Sequence, residues 1–130
     1  MRYVSFSVPD IFPSHACSKH YSIKIEGIHI HTGSDILDSQ TFERVANLIF
    51  KIADDFPDLD SIDFGSGFKI KYSNNDLETD IEAIGKTFSK LFNNYCKSRN
   101  KKITLRFEPG KFLVSESGYF LTKVNTIKQT

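Results

Sequence analysis

Three runs rich in β-branched and aromatic residues alternate along the chain with two stretches of helical periodicity. Ile23, Ile25, Ile28 and Ile30 place a strand over residues 23–31, which Gly27 interrupts, so the ladder is expected to begin at Ile28. Phe42, Val45, Ala46, Ile49, Ala53 and Phe56 recur at steps of three and four and predict a helix capped from Asp38, Ser39 or Thr41 and stopped by Pro57. A short strand follows over 61–64. Ile81, Ile84, Phe88, Leu91, Phe92 and Tyr95 then mark one face of a second helix, with Asp76 or Thr79 as its cap, and residues 103–107 read as a third strand. The flanks are less regular. Residues 1–14, with Pro9 and Pro13, read as an irregular lead-in, and 14–21 as the end of a helix. Phe112, Leu113 and Val114 suggest a helical turn before a further strand containing Tyr119, Phe120, Leu121, Val124 and Ile127.

This order of strand, helix, strand, helix, strand predicts an α/β unit with parallel strands joined by crossovers. In such sheets the functional loops gather at the carboxyl ends of the strands. Each predicted strand here ends in something unusual: His29-Ile30-His31-Thr32-Gly33-Ser34, Asp63-Phe64-Gly65-Ser66-Gly67, and Glu108-Pro109-Gly110-Lys111. His29 and His31 stand at strand spacing and are expected on one face. Such a pair is more often packed and hydrogen-bonded than catalytic, and it is the three endings together that point to a ligand site. Glycine-rich turns on adjacent strands offer bare backbone N–H groups, which hold a phosphate without a cluster of lysines, and Ser34 adds a hydroxyl. Pro109 stiffens the backbone beside Glu108, whose carboxylate suits a ring nitrogen that must stay protonated, because an ion pair in a sheltered site favours the charged form. The flat ring of His31 suits a planar heterocycle.

Composition narrows the partners. With 130 residues, 39% apolar and 25% charged, the chain has the profile of a soluble globular domain. A formal net charge of +1, from 17 basic and 16 acidic side chains, gives no electrostatic case for nucleic acid or a membrane surface. The tract Arg99-Asn100-Lys101-Lys102 reads as the solvated end of a helix. Cys17 and Cys96 form no paired motif, and no run approaches the roughly 20 apolar residues of a membrane span. A reducing cytoplasm is the expected compartment.

The motif series His29-Ile30-His31-Thr32-Gly33-Ser34, Asp63-Phe64-Gly65-Ser66-Gly67-Phe68 and Glu108-Pro109-Gly110-Lys111, with Val124 near Lys128, resembles diaminopimelate decarboxylase. That family belongs to the pyridoxal-phosphate enzymes built on an alanine-racemase-like barrel, together with ornithine and arginine decarboxylases. The resemblance implies an α/β fold, a partial (β/α)8 TIM-type barrel over 15–117, with 118–130 starting the linker or strand into a C-terminal β-domain. It implies decarboxylation of meso-diaminopimelate to lysine, a step of lysine biosynthesis, by a parent enzyme that is a homodimer. Residue by residue, it places His31 on the pyridine ring, Ser34, Gly65, Ser66, Gly67 and Gly110 at the phosphate, and Glu108 on the pyridine nitrogen. Glu108 and His31 would thus be the catalytic pair. Ser66 and Lys111 depart from the family's commonest Gly-Gly-Gly and Glu-Pro-Gly-Arg. Lys111 keeps the positive charge toward phosphate or a substrate carboxylate but loses the planar fork of arginine.

The family also carries a cofactor-linking lysine on an early strand, and no lysine here stands in that context. A complete barrel takes about 250 residues. The chain is therefore expected to be an incomplete piece of the enzyme, inactive by itself. Two other readings stay open: a metal-dependent TIM-barrel hydrolase using His29 and His31 with Asp63, and an inert pyridoxal-phosphate-binding fragment.

Overall fold

Four short strands lie side by side in the order of the sequence, every pair parallel: β1 (Tyr3–Ser5), β2 (Gly27–His29), β3 (Ser61–Asp63) and β4 (Thr104–Arg106). The computed structural model describes residues 3–5 and 23–129. Register aligns Val4, Ile28, Ile62 and Leu105 in one row and Ser5, His29, Asp63 and Arg106 in the next. A doubly wound sheet would reverse its strand order at one point, whereas unbroken sequential order is that of a barrel wall.

Alternation along the strands separates the two faces. Ile28 and Ile62 are buried in the apolar core with Leu105 packed against it, on the side covered by the helices. The covering helices are α1 (Ser39–Ala53), between β2 and β3, and α2 (Ile81–Ser98), between β3 and β4. Phe42, Ala46, Ile49 and Ala53 are buried as their periodicity predicts, and Phe50 joins them. Phe50 stacks on Tyr95 with centroids 4.3 Å apart, which fixes α1 against α2. Below them Phe64 is 1% exposed and meets Phe88 edge-on at 4.7 Å.

The caps divide as local chemistry requires. Asp38 starts α1 by accepting from the N–H of Gln40 at 2.9 Å. The cap of α2 is Asp80, which accepts from Ala83 N–H at 2.9 Å, rather than Asp76 or Thr79. Those two are engaged elsewhere. Thr79 is buried, donating its hydroxyl to the Ile36 carbonyl and accepting from Lys69 N–H, both at 2.7 Å. Asp76 holds the Lys69 ammonium at 2.7 Å.

Several expectations change in the fold. Gly27 is a full member of the ladder, paired with both Tyr3 and Ser61, because a parallel ladder asks only for backbone there. Tyr3–Ser5, read as part of an irregular lead-in, is strand β1. The rest of that lead-in and the helix end placed at 14–21 lie outside the described residues. Arg99 is not a solvated end: its guanidinium donates to the Ala53 carbonyl at 2.7 Å and the Phe56 carbonyl at 3.1 Å, and pairs with Asp54, so it closes the C-terminus of α1. The helical turn near Phe112 exists as α3 (Gly110–Val114), followed by a 3-10 turn at Ser115–Ser117. The further strand is not formed. Tyr119, Phe120, Leu121, Val124 and Ile127 are exposed, and no described residue pairs beside them to complete a ladder. Apolar content alone does not make a strand.

Phe64 lies between the sheet and both helices, so Phe64→Ala is expected to cost about 3–5 kcal/mol, read as a shift of the urea midpoint at unchanged slope.

Candidate functional site

The strand ends are tied together through glycine backbone. Gly65 has φ +59°. Its N–H donates to the buried Asp63 carboxylate at 2.8 Å, and its carbonyl accepts from Glu108 N–H at 2.6 Å. A Cβ on Gly65 would stand 2.9 Å from both His31 Nδ1 and the Ile30 carbonyl. Gly67, at φ +101°, lies closer still to its neighbour: a Cβ there would be 2.3 Å from the Gly33 carbonyl. Its own carbonyl accepts from Ile36 N–H at 2.8 Å. Both positions need glycine for backbone conformation and for space. Gly33 is different, with φ +117° and nothing within 4 Å of a Cβ, so it faces open space.

These contacts bring His31, Gly33, Ser34, Gly65, Ser66, Gly67 and Glu108 to one rim. His29 and His31 do not share a strand face, however. β2 ends at His29, and the chain turns after Ile30, whose N–H donates to the Asp63 carbonyl at 2.9 Å; His31 lies in the loop, exposed and against Gly65. The N–H groups of Ser66 and Gly67 meet no acceptor among the described residues. Gly110 is less available, because its N–H donates to the Glu108 carbonyl at 2.8 Å around Pro109.

Two side-chain clusters flank this rim. In the first, His29 Nε2 is buried, lies 3.3 Å from Glu108 Oε2, and has no partner in hydrogen-bonding geometry. Asp63 completes the group, one ligand atom from each of the three residues lying within 4.8 Å of the others. The metal reading from His29 and His31 is thereby altered, since His31 is not in this group and Glu108 is. In the second cluster, Lys111 donates to Asp35 and, at 2.8 Å, to the Tyr72 hydroxyl, which itself donates to Asp35 at 2.9 Å. The Lys111 and then the Tyr72 hydrogen bonds hold the Asp35 carboxyl below the usual range, and Asp35 followed by Tyr72 raises the Lys111 ammonium above its own. Lys111, expected at a phosphate or substrate carboxylate, is thus turned toward Asp35. Asp35 and Tyr72 carry no signal of this pairing in the sequence.

Residues fitting pyridoxal phosphate would need a close-approach backbone cradle, a planar ring beside it and a carboxylate, and the rim has all three. Buried, unpartnered Thr32 Oγ1 and His29 Nε2 add polar atoms awaiting a partner.

Gly67→Ala is expected to destabilise the rim by on the order of 1–3 kcal/mol, whereas Gly33→Ala meets only its backbone strain; amide exchange at Ile36, bonded to Gly67, separates the two. The lowered carboxyl of Asp35 means its stabilising contacts are complete above about pH 4 and are lost as pH falls through its depressed value. The raised Lys111 keeps its side of the cluster until pH climbs above the usual lysine range. Side-chain NMR of Lys111 across an acid titration is expected to show release only at the acid end.

Comparison with known proteins identifies the family and the fold. The family model described as "Pyridoxal-dependent decarboxylase, pyridoxal binding domain" matches residues 11–115. The chain is similar to the diaminopimelate decarboxylase of Methanothermobacter thermautotrophicus, 32% identical over 110 residues, covering 80% of this chain and 26% of that protein. It is also similar to that of Buchnera aphidicola from Acyrthosiphon pisum, 33% identical over 112 residues, covering 85% and 27%. A diaminopimelate decarboxylase crystal structure superimposes with TM-score 0.76 at 25% identity, over 94% of this chain and 29% of the other. The Helicobacter pylori diaminopimelate decarboxylase complexed with L-lysine shares the fold, with TM-score 0.69 at 21% identity, over 84% and 27%. The chain spans about a quarter of the length of the curated relatives it matches. The parallel sheet is accordingly part of a TIM-type barrel. By sequence and by fold, the chain belongs to the pyridoxal-dependent decarboxylase family, through that family's pyridoxal-binding domain.

Proposed function

We propose that the chain forms the phosphate- and ring-binding wall of a pyridoxal-phosphate-dependent diaminopimelate decarboxylase, which releases CO₂ from meso-diaminopimelate to give lysine. The observation that carries this reading is the cradle in which Gly65 and Gly67 leave room for the backbone at His31 and Gly33 while the Gly65 carbonyl holds Glu108 N–H. When bound, the cofactor supplies an electron sink for the pair released as the carboxylate leaves. The residues of this chain do the rest by position. Ser66 and Gly67 N–H and the Ser34 hydroxyl would bind the phosphate, His31 would lie against the ring, and Glu108 would keep the ring nitrogen protonated. Lys111 is neutralised by Asp35, so capture of the phosphate falls to the N–H groups. Phosphate capture by N–H groups rather than lysines agrees with the near-neutral chain.

Location in the cytoplasm and a homodimeric parent enzyme belong to the same proposal. No helix among the described residues is long and apolar enough to cross a membrane. The metal-hydrolase reading has less support, since the relatives named above are decarboxylases.

Titration of the chain with pyridoxal phosphate is expected to give a saturable change in visible absorbance, weakened about 10-fold by Glu108→Gln through loss of a charged hydrogen bond. A silent titration with pyridoxal phosphate, or saturable zinc binding in its place, would overturn the proposal. CO₂ release from meso-diaminopimelate is expected only when a lysine-bearing barrel half is added in trans.

A further inference from the structure

The side chain of Glu108 has a problem of freedom. Its backbone is held by Gly65, but the side chain is 62% exposed and carries several rotatable bonds. A carboxylate that must meet one ring nitrogen needs one orientation, and a freely sampled rotamer supplies it only part of the time. The neighbouring atoms offer one device for restricting it. His29 Nε2, on the strand two places across the sheet, is buried and has no hydrogen-bond partner, although Glu108 Oε2 lies 3.3 Å away. A buried ring nitrogen left without a partner is costly, and at this distance a small rotation of either side chain brings the pair into hydrogen-bonding geometry.

The charges around this pair point the same way. Asp63 on β3 shares the cluster with the pair, and Arg106 on β4 is its register partner in the same row. Asp63 is itself buried and accepts from Gly65 N–H. The Asp63 carboxylate therefore has a backbone donor, and of the three side chains in the cluster His29 is the one that can donate, its Nε2 lying 3.3 Å from Glu108 Oε2. His31, the residue singled out by its loop position, stands outside the cluster.

We infer that His29 is a positioning residue for Glu108: its Nε2–H holds Oε2 and leaves Oε1 directed to the cofactor's ring nitrogen. This rests on the cofactor reading above, and no proton leaves either residue in the step. The contact has two consequences that a merely packed histidine lacks. It couples positions 29 and 108 energetically, and it requires a nitrogen donor rather than bulk at position 29.

Two measurements on the full chain test it. In the ligand-free chain, ¹⁵N NMR of the His29 ring is expected to show an Nε2 shift on Glu108→Gln, a change at an exposed side chain; an unmoved Nε2 resonance overturns the inference whatever the cofactor does. In pyridoxal phosphate titrations, His29→Leu is expected to weaken binding about 10-fold, and His29→Gln, which returns a nitrogen donor at similar reach, to recover to within about 3-fold. Adding His29→Leu to Glu108→Gln is expected to change affinity less than about 2-fold. Additive losses, or failure of His29→Gln to recover, overturn it. A shifted Nε2 resonance together with no cofactor binding by the unaltered chain leaves the His29–Glu108 contact standing but overturns both its assigned purpose and the cofactor reading.

Discussion

The close approach of Gly67 to the Gly33 carbonyl is the constraint on which the rim depends. No side chain fits between these two loops, since a Cβ would sit 2.3 Å from that oxygen. Because they meet, Ile36 N–H reaches the Gly67 carbonyl and Ile36 forms a bridge with Phe68. That bridge continues the parallel pairing of β2 and β3 beyond the strands themselves. Gly65 extends the same logic to β4 by accepting from Glu108 N–H. Three strand ends are thus set relative to one another by backbone alone, which is stiffer than any arrangement of long side chains.

Packing on the other face supplies the rigidity that this rim needs. Phe64 belongs to the core, yet it is the residue immediately before Gly65. Its ring is held by Phe88 and Phe50, so helices α1 and α2 register directly on the start of the glycine turn. The two faces of the sheet therefore have distinct tasks. Ile28 and Ile62 bury apolar surface against the helices, and the adjacent row of His29 and Asp63 carries polar groups to the inner side. A one-residue slip of register would exchange these tasks, because side chains alternate strictly along a strand.

The division of charge around the rim also explains why a near-neutral chain can hold an anion. Lys111 is tied to Asp35 and Tyr72, and Lys69 to Asp76, so neither ammonium is a free counter-charge. In the proposed function anion binding then falls to oriented N–H groups, whose partial charges cost no reorganisation when a ligand arrives. Glu108 can stand at the same rim without repelling the phosphate if the two act on opposite ends of one ligand.

The sequence by itself determined the order of elements from β2 to β4, the core faces of both helices and the three motifs at the strand ends. Periodicity shows which side chains are buried, and glycine next to a strand's end has few uses other than a turn or a close approach. It could not determine that β2 stops at His29, that Asp80 rather than Asp76 or Thr79 caps α2, or that Arg99 closes α1. Each of these depends on partners distant in the chain: Asp63 for Ile30, Ile36 for Thr79, Ala53 and Phe56 for Arg99. The same holds for His29 beside Glu108 and for the Asp35, Tyr72 and Lys111 cluster. Local preference sets which elements form, because it acts within a few residues. Which polar groups meet is decided only when the sheet closes those distances, since a hydrogen bond between distant residues has no trace in either residue's own neighbourhood.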